Sequence, residues 1–460
     1  MRTEPGAVAQ RAVRHADEAA EAGPGARAGA ASGSAPAAEP ATEPATEPGG
    51  AVGTRVDTAA ALRGARRRDR RVYIRSHPVL FALLAAVRRR PVARLGRAVL
   101  VSGTEPYREA LTRIPLDRAA AGTTGGAARE LSGGGTLFDQ EGTDHRDTRR
   151  AVAGDLGAAG VERLRPVWQA VLARELAPLS AGHTVDLVPL ARALAGATVR
   201  ALLATSADPS ALAEAAADAA SAAVRDHLPG PRPPGTARAA ARATARLEEL
   251  LASEDAVLRH RKDAARQPVA GACPHSSADG QDDGAAVVAS RDDVALRAMV
   301  AVAAVNTTVA ALPRAVAWCA DGGLWEQAAD DRLRPALVGE LLRVTAPSPL
   351  LPRVAAADAV LDGCPVKAGD RLVLVARHAV GADLDPPDAL RPAPSAVGRL
   401  VFGAGPHACP GARLALAQLD DLLAALAPYR PTVVTARVDR RAALPGWRRL
   451  TVRATTETPS

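Results

Sequence analysis

The chain has very few aromatic side chains with which to build a hydrophobic core. Phe, Tyr and Trp make up 2% of its 460 residues, whereas apolar residues as a class make up 47%. The core must therefore consist mainly of Ala, Leu and Val. Ala and Leu are strong helix formers, whereas strands favour aromatic and β-branched residues. The composition thus predicts a mainly α-helical protein with small β-sheets.

The charge balance gives little indication of a partner. Lys and Arg number 58 against 50 Asp and Glu, and a net charge of +8 over this length is not a footprint of nucleic-acid binding. Seven arginines are concentrated between Arg63 and Arg75. We interpret this run as a solvated or linker segment, with a patch for nucleic acid or an acidic partner as the second interpretation.

The four cysteines exclude a disulfide scaffold and a CxxC zinc site. They are Cys273, Cys319, Cys364 and Cys409, which lie at least 45 positions apart. Isolated thiols suit a reducing compartment, so we expect a cytoplasmic protein. The most lipid-like early run is the nine residues Val79–Val87, whereas a membrane span needs about 20. We therefore expect no membrane partner.

The N-terminal segment differs in composition from the rest of the chain. Residues 1–65 are rich in Ala, Pro, Glu and Gly, with a four-residue Glu-Pro repeat. Such a segment cannot bury enough apolar surface to offset its ordering entropy, so we predict a disordered tail. It also lacks the apolar centre of a secretory signal. Residues 66–460 then form a single domain.

Breaks and strands within that domain can be read from Gly, Pro and β-branched residues. The segments Gly122–Gly135, 229–235 and 267–285 are rich in turn-forming residues and are predicted loops. Short strands are predicted in three places. These are 372–375, 432–434 and 450–452.

The most informative segment is FGAGPHACPG, residues 402–411. Two glycines allow a tight backbone turn, and Cys409 then precedes Pro410 at the expected start of a helix. Unpaired N–H groups at a helix N-terminus favour a thiolate. The residues alone leave three interpretations open: a small buried cysteine, a nucleophile with His407 as its base, and a metal ligand.

The same ten residues resemble the haem-ligand loop of the cytochrome P450 family, FGxGxHxCxG. All six fixed positions match: Phe402, Gly403, Gly405, His407, Cys409 and Gly411. The resemblance extends over about residues 70–455. It implies the cytochrome P450 fold, haem b as cofactor and Cys409 as the thiolate ligand of its iron. It also implies that His407 contacts a haem propionate.

Further motifs of that family can be recognised upstream. Glu340 and Arg343 match its ExxR motif, whose two charges are buried and stabilise the fold beneath the haem. The resemblance also implies that Arg353 contacts a haem propionate. His145 and Arg149 are similar to the family's HxxxR helix and would contact a propionate as well. The family often has aromatic-containing motifs between Arg377 and Leu400, but this chain does not, so we assign no third partner to the Glu340–Arg343 pair.

The central helix departs from the family pattern AGx(D/E)T(T/S). The matching residues are Ala303–Thr308, within an apolar helix predicted over Val294–Leu312. Ala304 replaces the usual Gly and Asn306 replaces the usual acid, whereas Thr307 remains. An amide does not titrate in the useful range, so proton delivery would depend on Thr307 and water alone. Thr307, with Asn306, would organise this water. Arg297, Asn306 and the helix length argue against a membrane span, and Pro313 is predicted to kink the helix.

The resemblance implies a haem-thiolate monooxygenase of secondary metabolism. It would use dioxygen to hydroxylate or epoxidise a small apolar organic substrate. Electrons would come from a ferredoxin-like donor that docks near Arg413. The changes at Ala304 and Asn306 leave two alternatives open, a haem-binding regulator or scaffold and a peroxide-driven peroxygenase. The loops around 90–135 and 222–240 are expected to contact substrate.

Overall fold

The structure, a computed structural model, describes residues 58–132, 134–227, 238–251 and 291–455. These ranges are mainly helical with small sheets, as the scarcity of aromatic residues predicted. The helices are Thr58–Ser76 (α1), Pro78–Val87 (α2), Thr104–Thr112 (α3), Thr124–Ser132 (α4), Gly142–Leu156 (α5), Ala158–Ser180 (α6), Leu187–Leu202 (α7), Pro209–His227 (α8), 238–251 (the described part of α9), Arg291–Gly322 (α10), Trp325–Ala329 (α11), Arg334–Thr345 (α12), Ala376–Ala379 (α13), Ser395–Gly398 (α14) and Ala412–Leu426 (α15).

Three small sheets accompany the helices. Their strands are Val92–Leu95 (β1), Ala98–Val101 (β2), Leu116–Asp117 (β3), Thr184–Asp186 (β4), Leu351–Ala355 (β5), Ala359–Leu361 (β6), Cys364–Val366 (β7), Arg371–Leu374 (β8), Thr432–Asp439 (β9) and Gly446–Arg453 (β10). The largest sheet has the order β1-β2-β8-β5-β3. The second has the order β4-β10-β9, and β6 pairs with β7. The predicted strand residues lie in β8, β9 and β10, except Val375, which follows β8.

Helix α10 lies at the centre of the fold. It packs against α1, α7, α8 and β10. By length and composition, its segment Leu296–Gly322 could cross a membrane, and 56% of the apolar window is buried inside the protein. The predicted argument from helix length was therefore wrong, since α10 extends well beyond Val294–Leu312. Its packing instead makes it the core helix of this fold.

Helix α1 is fixed to that core by a buried ion network. Asp69 is 3% exposed, and its two carboxylate oxygens accept hydrogen bonds from Arg314 Nε at 2.8 Å and Arg377 Nη1 at 3.3 Å. Arg314 also donates to the Tyr73 hydroxyl at 2.6 Å, and that hydroxyl donates to the carbonyl of Thr345. A carboxylate between two guanidinium groups satisfies both buried cations. The arginine-rich run is thus the outer part of a docked helix and not a linker.

The N-terminal boundary differs from the predicted one. Helix α1 begins at Thr58, so residues 58–65 of the predicted tail are helical, because Leu62 packs on the main core and Ala65 is 2% exposed. The described part of the chain belongs to one unit, Arg55–Ser460. Residues 1–57, which carry most of the predicted tail, lie outside the described ranges. So do the predicted loops 229–235 and 267–285.

The segment Gly122–Gly135 was predicted as a loop, which is wrong for its central part. Helix α4 forms there, and the Thr123 hydroxyl accepts a hydrogen bond from the Gly126 N–H at 2.9 Å. This is an N-cap interaction. The glycines have a packing role, because a Cβ atom on Gly125 would lie 2.2 Å from the carbonyl oxygen of Arg118. The helix therefore packs closely against backbone that a larger residue would displace.

Candidate functional site

The loop that carries Cys409 is built from two short 3₁₀ turns, Arg399–Phe402 and Gly405–His407. The Cys409 N–H donates to the carbonyl of Phe402 at 2.7 Å, which closes the loop. Gly403 and Gly405 have φ angles of 76° and 71°, in the left-handed region that favours glycine. A Cβ atom on Gly405 would also lie 3.3 Å from the Leu111 carbonyl oxygen of α3. Both glycines of the motif are therefore required by backbone geometry.

Cys409 lies just before α15; the residue is exposed, while the neighbouring protein desolvates its sulfur. The helix begins at Ala412 with Gly411 as its N-cap, so Pro410 precedes the helix instead of starting it. Burial raises the pKa of the thiol, against smaller opposing effects of the Gly411 N–H and the charge of Arg149. The direction of this shift is opposite to the one expected from the position of the thiol before a helix. Binding to a metal cation would itself deprotonate the sulfur.

The structure brings the predicted propionate ligands together around this loop. The rings of His145 and His407 stack with their centroids 3.8 Å apart. Arg149 donates to the carbonyl of Ala408 at 2.6 Å, which ties α5 to the residue before Cys409. Arg353, on β5, donates to its neighbour's carbonyl and to the Thr124 hydroxyl at 3.3 Å. Side chains from α5, β5 and the loop itself thus lie in one cluster.

A fifth basic side chain, that of Arg118, belongs to the same cluster and was missed by the sequence analysis. Its side chain is 9% exposed, and its nearest carboxylate is Glu141 at 3.9 Å. Burial, and in addition the charge of Arg118, lowers the pKa values of His145, His407 and Arg353. No motif marks Arg118 in the sequence. It enters the cluster because β3, which precedes it, pairs with β5, which carries Arg353.

The cluster contains buried nitrogens with no hydrogen-bond partner. These are His145 Nε2 and Arg353 Nε, and His145 is 2% exposed. Burial and the neighbouring cations lower the pKa of His407 to about 3 and that of Arg353 to about 10. Buried, mutually repelling donors of this kind fit an anionic group that accepts several hydrogen bonds. The two propionates of a haem have this chemistry, so the residues present fit the cofactor.

Cys409 does not belong to a protein metal cluster in the described ranges, where no group of three His, Cys, Asp or Glu side chains could hold a metal ion. A haem-thiolate centre needs no such cluster, because the tetrapyrrole supplies four nitrogens and one cysteine is sufficient on the protein side.

The Glu340–Arg343 pair is buried, as the family motif implied. Two guanidinium nitrogens of Arg343 donate to the Glu340 carboxylate at 2.9 and 2.6 Å. The sequence offered no third partner, and the structure supplies backbone in its place. Arg343 also donates to the carbonyls of Gly381 at 3.1 Å and Asp385 at 3.2 Å, while the Ala393 N–H donates to Glu340 at 3.0 Å. The pair therefore organises the segment that leads into the Cys409 loop.

The two predicted catalytic residues on α10 make bonds to backbone instead of to the site. The Thr307 hydroxyl donates to the carbonyl of Ala303 at 2.8 Å. The Asn306 amide donates to the carbonyls of Val302 at 2.7 Å and Ala216, on α8, at 3.3 Å. Adjacent positions on a helix point about 100° apart. Asn306 accordingly faces α8, and no described contact joins Thr307 or Asn306 to the Cys409 loop.

Asn306 also lines a cavity of about 320 Å³. Asp218 and Ser221 of α8 line the same space, together with Trp447 of β10. The cavity is bounded by α7, α8, α10 and the β9–β10 hairpin. None of the cationic residues around Cys409 lines it.

Comparisons with known proteins agree with this geometry. No protein-family model matches the chain. Two curated relatives match locally at 39% identity, 20-oxo-5-O-mycaminosyltylactone 23-monooxygenase of Streptomyces fradiae over 110 residues and vitamin D3 dihydroxylase of Streptomyces griseolus over 108. Each match covers 23% of this chain, and they cover 26% and 27% of the relatives. The chain thus aligns with about a quarter of their length.

The match to solved structures is much longer. The crystal structure of the versatile cytochrome P450 enzyme CYP109B1 from Bacillus subtilis aligns with a TM-score of 0.61 at 19% identity, covering 82% of this chain and 99% of that one. At this identity the likeness shows that the chain has the cytochrome P450 fold. The local matches show that a segment of the chain is similar in sequence to about a quarter of each of two oxygenases.

Proposed function

We propose that the protein is a haem-thiolate monooxygenase. The observation that carries the proposal is the Cys409 loop, surrounded by five cationic or imidazole side chains that include unpartnered buried nitrogens. The two locally matching relatives are by name a monooxygenase and a dihydroxylase, which supports hydroxylation as the reaction. Haem b, when bound, supplies the activation of dioxygen.

The residues around Cys409 would bind and orient the cofactor. Cys409 would be the single protein ligand of the iron, and its loop is already closed by the bond to Phe402. His145, Arg149, Arg353 and His407 would hold the propionates, with Arg118 as an added member. Their charges would be neutralised by the two carboxylates, which would also satisfy the unpartnered nitrogens.

On α10, Thr307 would hold a water by exchanging its bond to the Ala303 carbonyl. A hydroxyl can both donate and accept, so this exchange needs only a rotation of the side chain. Asn306 would position the helix and neighbouring water without carrying a proton, because an amide does not titrate. Proton delivery would thus depend on Thr307 and on solvent.

The substrate we propose is a small apolar organic molecule, oxidised at a C–H or C=C bond. A ferredoxin-like protein would donate the electrons. It would dock near Arg413, which is exposed in the first turn of α15, four residues after Cys409. A basic surface there would attract an acidic carrier.

The decisive experiment combines spectroscopy with turnover. Reduced, carbon monoxide-treated protein should give the spectrum of a thiolate-ligated haem. With a surrogate reductase and a screen of apolar compounds, at least one compound should be oxygenated in a reaction that consumes dioxygen. A thiolate spectrum without dioxygen consumption for any compound would favour a regulator, and product from peroxide alone would favour a peroxygenase.

A further inference from the structure

Helix α2 is apolar all round, yet the fold covers only one of its faces. Its sequence is PVLFALLAAV. Leu84 is 2% exposed and packs with Ala93, Leu100 and Val375, so this side anchors the helix to the largest sheet. A helix that is hydrophobic on all sides normally has all its sides covered. The outer face of α2 therefore lacks an expected neighbour.

The outer face carries the highest concentration of exposed large hydrophobic residues in the described chain. Val79 is 73% exposed and Leu83 is 58% exposed, and they lie one turn apart. Ala82 and Ala86 are exposed beside them. Ile74, in the last turn of α1, is 43% exposed. Three of the eight exposed large hydrophobics in the described chain thus fall within ten consecutive residues, and we call Ile74, Val79 and Leu83 the apolar patch.

Arginines flank this apolar patch on both sides in the chain. Arg70, Arg71 and Arg75 are exposed in the last two turns of α1, which is joined to α2 by His77 alone. Three more, 88–90, follow directly after the last turn of α2 and are also exposed. Within the described ranges, no carboxylate lies within ion-pair distance of Arg70, Arg71 or Arg75. The patch therefore combines exposed aliphatic groups with six cations.

The combination of aliphatic and cationic side chains indicates which class of partner binds the patch. Nucleic acid would match the cations but gains little from Val79 and Leu83, since phosphate contacts dominate its binding. A protein partner would match the aliphatic groups, and arginine is common at protein interfaces, but that partner would have to place carboxylates opposite six cations around a small apolar surface. An anionic lipid surface matches both, because aliphatic side chains enter the acyl boundary while arginines contact the headgroups.

We propose that the α1–α2 corner, defined as Ile74, Val79, Leu83 and the six flanking arginines, binds the surface of membranes that contain anionic lipids. The interaction is peripheral: one short helix lies along the interface and the body of the protein stays in water. It goes beyond the proposed oxygenase function and does not depend on it. It revises the expectation that the protein has no membrane partner.

The test uses the full-length, haem-loaded protein and unilamellar vesicles. Flotation with vesicles of phosphatidylcholine and phosphatidylglycerol should recover the protein at low salt, with recovery falling as salt rises. Pure phosphatidylcholine vesicles should recover much less. The double variant Val79→Ser/Leu83→Ser should weaken binding by about tenfold, and the triple variant Arg70→Gln/Arg71→Gln/Arg75→Gln by about tenfold or more.

Matched variants elsewhere on the surface provide the controls. Leu384 and Leu390 are 73% and 69% exposed, and Arg437, Arg440 and Arg448 are exposed on or beside β9 and β10. Substituting these by Ser and Gln respectively should leave vesicle binding unchanged. An unaltered haem spectrum and melting temperature would show that each variant is folded.

Three results would overturn the proposal. The first is no flotation of the parent protein with anionic vesicles. The second is equal loss of binding in the control variants, which would indicate a non-specific effect of charge or apolar surface. The third is tight binding to duplex DNA that survives Val79→Ser/Leu83→Ser, together with weak vesicle binding, which would assign the corner to nucleic acid.

Discussion

The polar groups around the Cys409 loop and those on helix α10 differ in whether the protein supplies their hydrogen-bond partners. Around the loop, buried nitrogens of His145 and Arg353 have no protein partner. On α10, Thr307 and Asn306 are both bonded to main-chain carbonyls. Unpartnered buried donors are costly unless a ligand accepts from them, whereas self-bonded groups are stable without one. The unpartnered nitrogens around the loop are what we expect if this region holds the proposed cofactor, whereas the polar groups of α10 need no ligand.

The largest effect is expected from Cys409→Ala, which removes the only thiol of the loop. Haem-loaded protein should lose the thiolate-type spectrum of the reduced carbon monoxide complex, and oxygenase activity should fall by more than about 100-fold. Cys364→Ala is the matched control, since that thiol lies in β7, away from the loop. If the Cys409→Ala variant kept the parent spectrum, Cys409 could not be the ligand of the haem iron.

The next largest effect concerns the support beneath the loop. Glu340→Ala leaves the buried guanidinium of Arg343 without its carboxylate, so the free energy of unfolding should fall by about 3–5 kcal/mol. Urea unfolding measures this. Glu105, which forms an exposed i,i+3 pair with Arg108, is the matched control, and Glu105→Ala should cost less than about 1 kcal/mol. Equal losses at the two sites would contradict the structural role of the buried pair.

The Asn306→Asp substitution tests whether residue 306 of α10 is held by hydrogen bonds to main-chain carbonyls. A carboxylate at this position would face the carbonyls of Val302 and Ala216, to which the amide now donates. The free energy of unfolding should fall by about 1–3 kcal/mol at neutral pH. The same contacts would raise the pKa of the new carboxyl, so stability should be retained at acidic pH and lost as pH rises through that pKa.

Asn306→Ala is the control for this pH dependence, because its effect on stability should not vary between pH 5 and pH 8. If proton delivery limits the reaction, Asn306→Asp should also raise the yield of product per electron. An unchanged yield would show that Thr307 and water suffice, and pH-independent destabilisation would contradict the described contacts of residue 306.

A smaller effect is expected for each cation of the cluster. Arg353→Leu and Arg118→Leu should each lower haem affinity by about tenfold, since each removes a charge that faces the propionates. The rate of haem transfer to an excess of a haem-binding acceptor protein measures this. Arg437→Leu, on the exposed side of β9, should leave the rate unchanged. An effect at Arg353 but none at Arg118 would exclude Arg118 from the cofactor site.

The smallest effect concerns protonation of the cofactor-free protein. Burial, followed by the charge of Arg118, lowers the pKa of His407 from 6.5 to about 3. The unfolded chain therefore binds a proton below pH 6.5 that the folded chain does not, so stability is complete above that pH and declines as pH falls towards 3. His407→Gln should flatten this decline in chemical unfolding curves. An equally steep decline in the variant would assign it to other groups.

The sequence predicted the Cys409 loop and the Glu340–Arg343 pair because both are short, local motifs. It predicted the strands of β8, β9 and β10 from their β-branched residues but missed β1 and β2, whose residues also suit a helix. Arg118 could not be predicted, since only the pairing of β3 with β5 brings it near Arg353. The orientation of Asn306 likewise depends on α8.

The partners of Arg343 show a different kind of limit. The sequence indicated no third partner for the Glu340–Arg343 pair, and in the structure the carbonyls of Gly381 and Asp385 accept hydrogen bonds from Arg343. Every residue has a main-chain carbonyl, so a sequence motif cannot show which carbonyls accept hydrogen bonds from a buried side chain. The loop predicted over Gly122–Gly135 was wrong for a related reason, because its glycines permit a helix to approach backbone.

The position of Asp69 limits how far the chain can be shortened from its N-terminal side. Any expressed fragment that starts after this residue would retain Arg314 and Arg377 inside the protein with their shared counter-ion removed. Such a fragment should aggregate or fail to incorporate haem, however complete its downstream motifs. Trimming for crystallisation should therefore stop ahead of Thr58, and chimeras with related enzymes should exchange α1 together with α10 and α13.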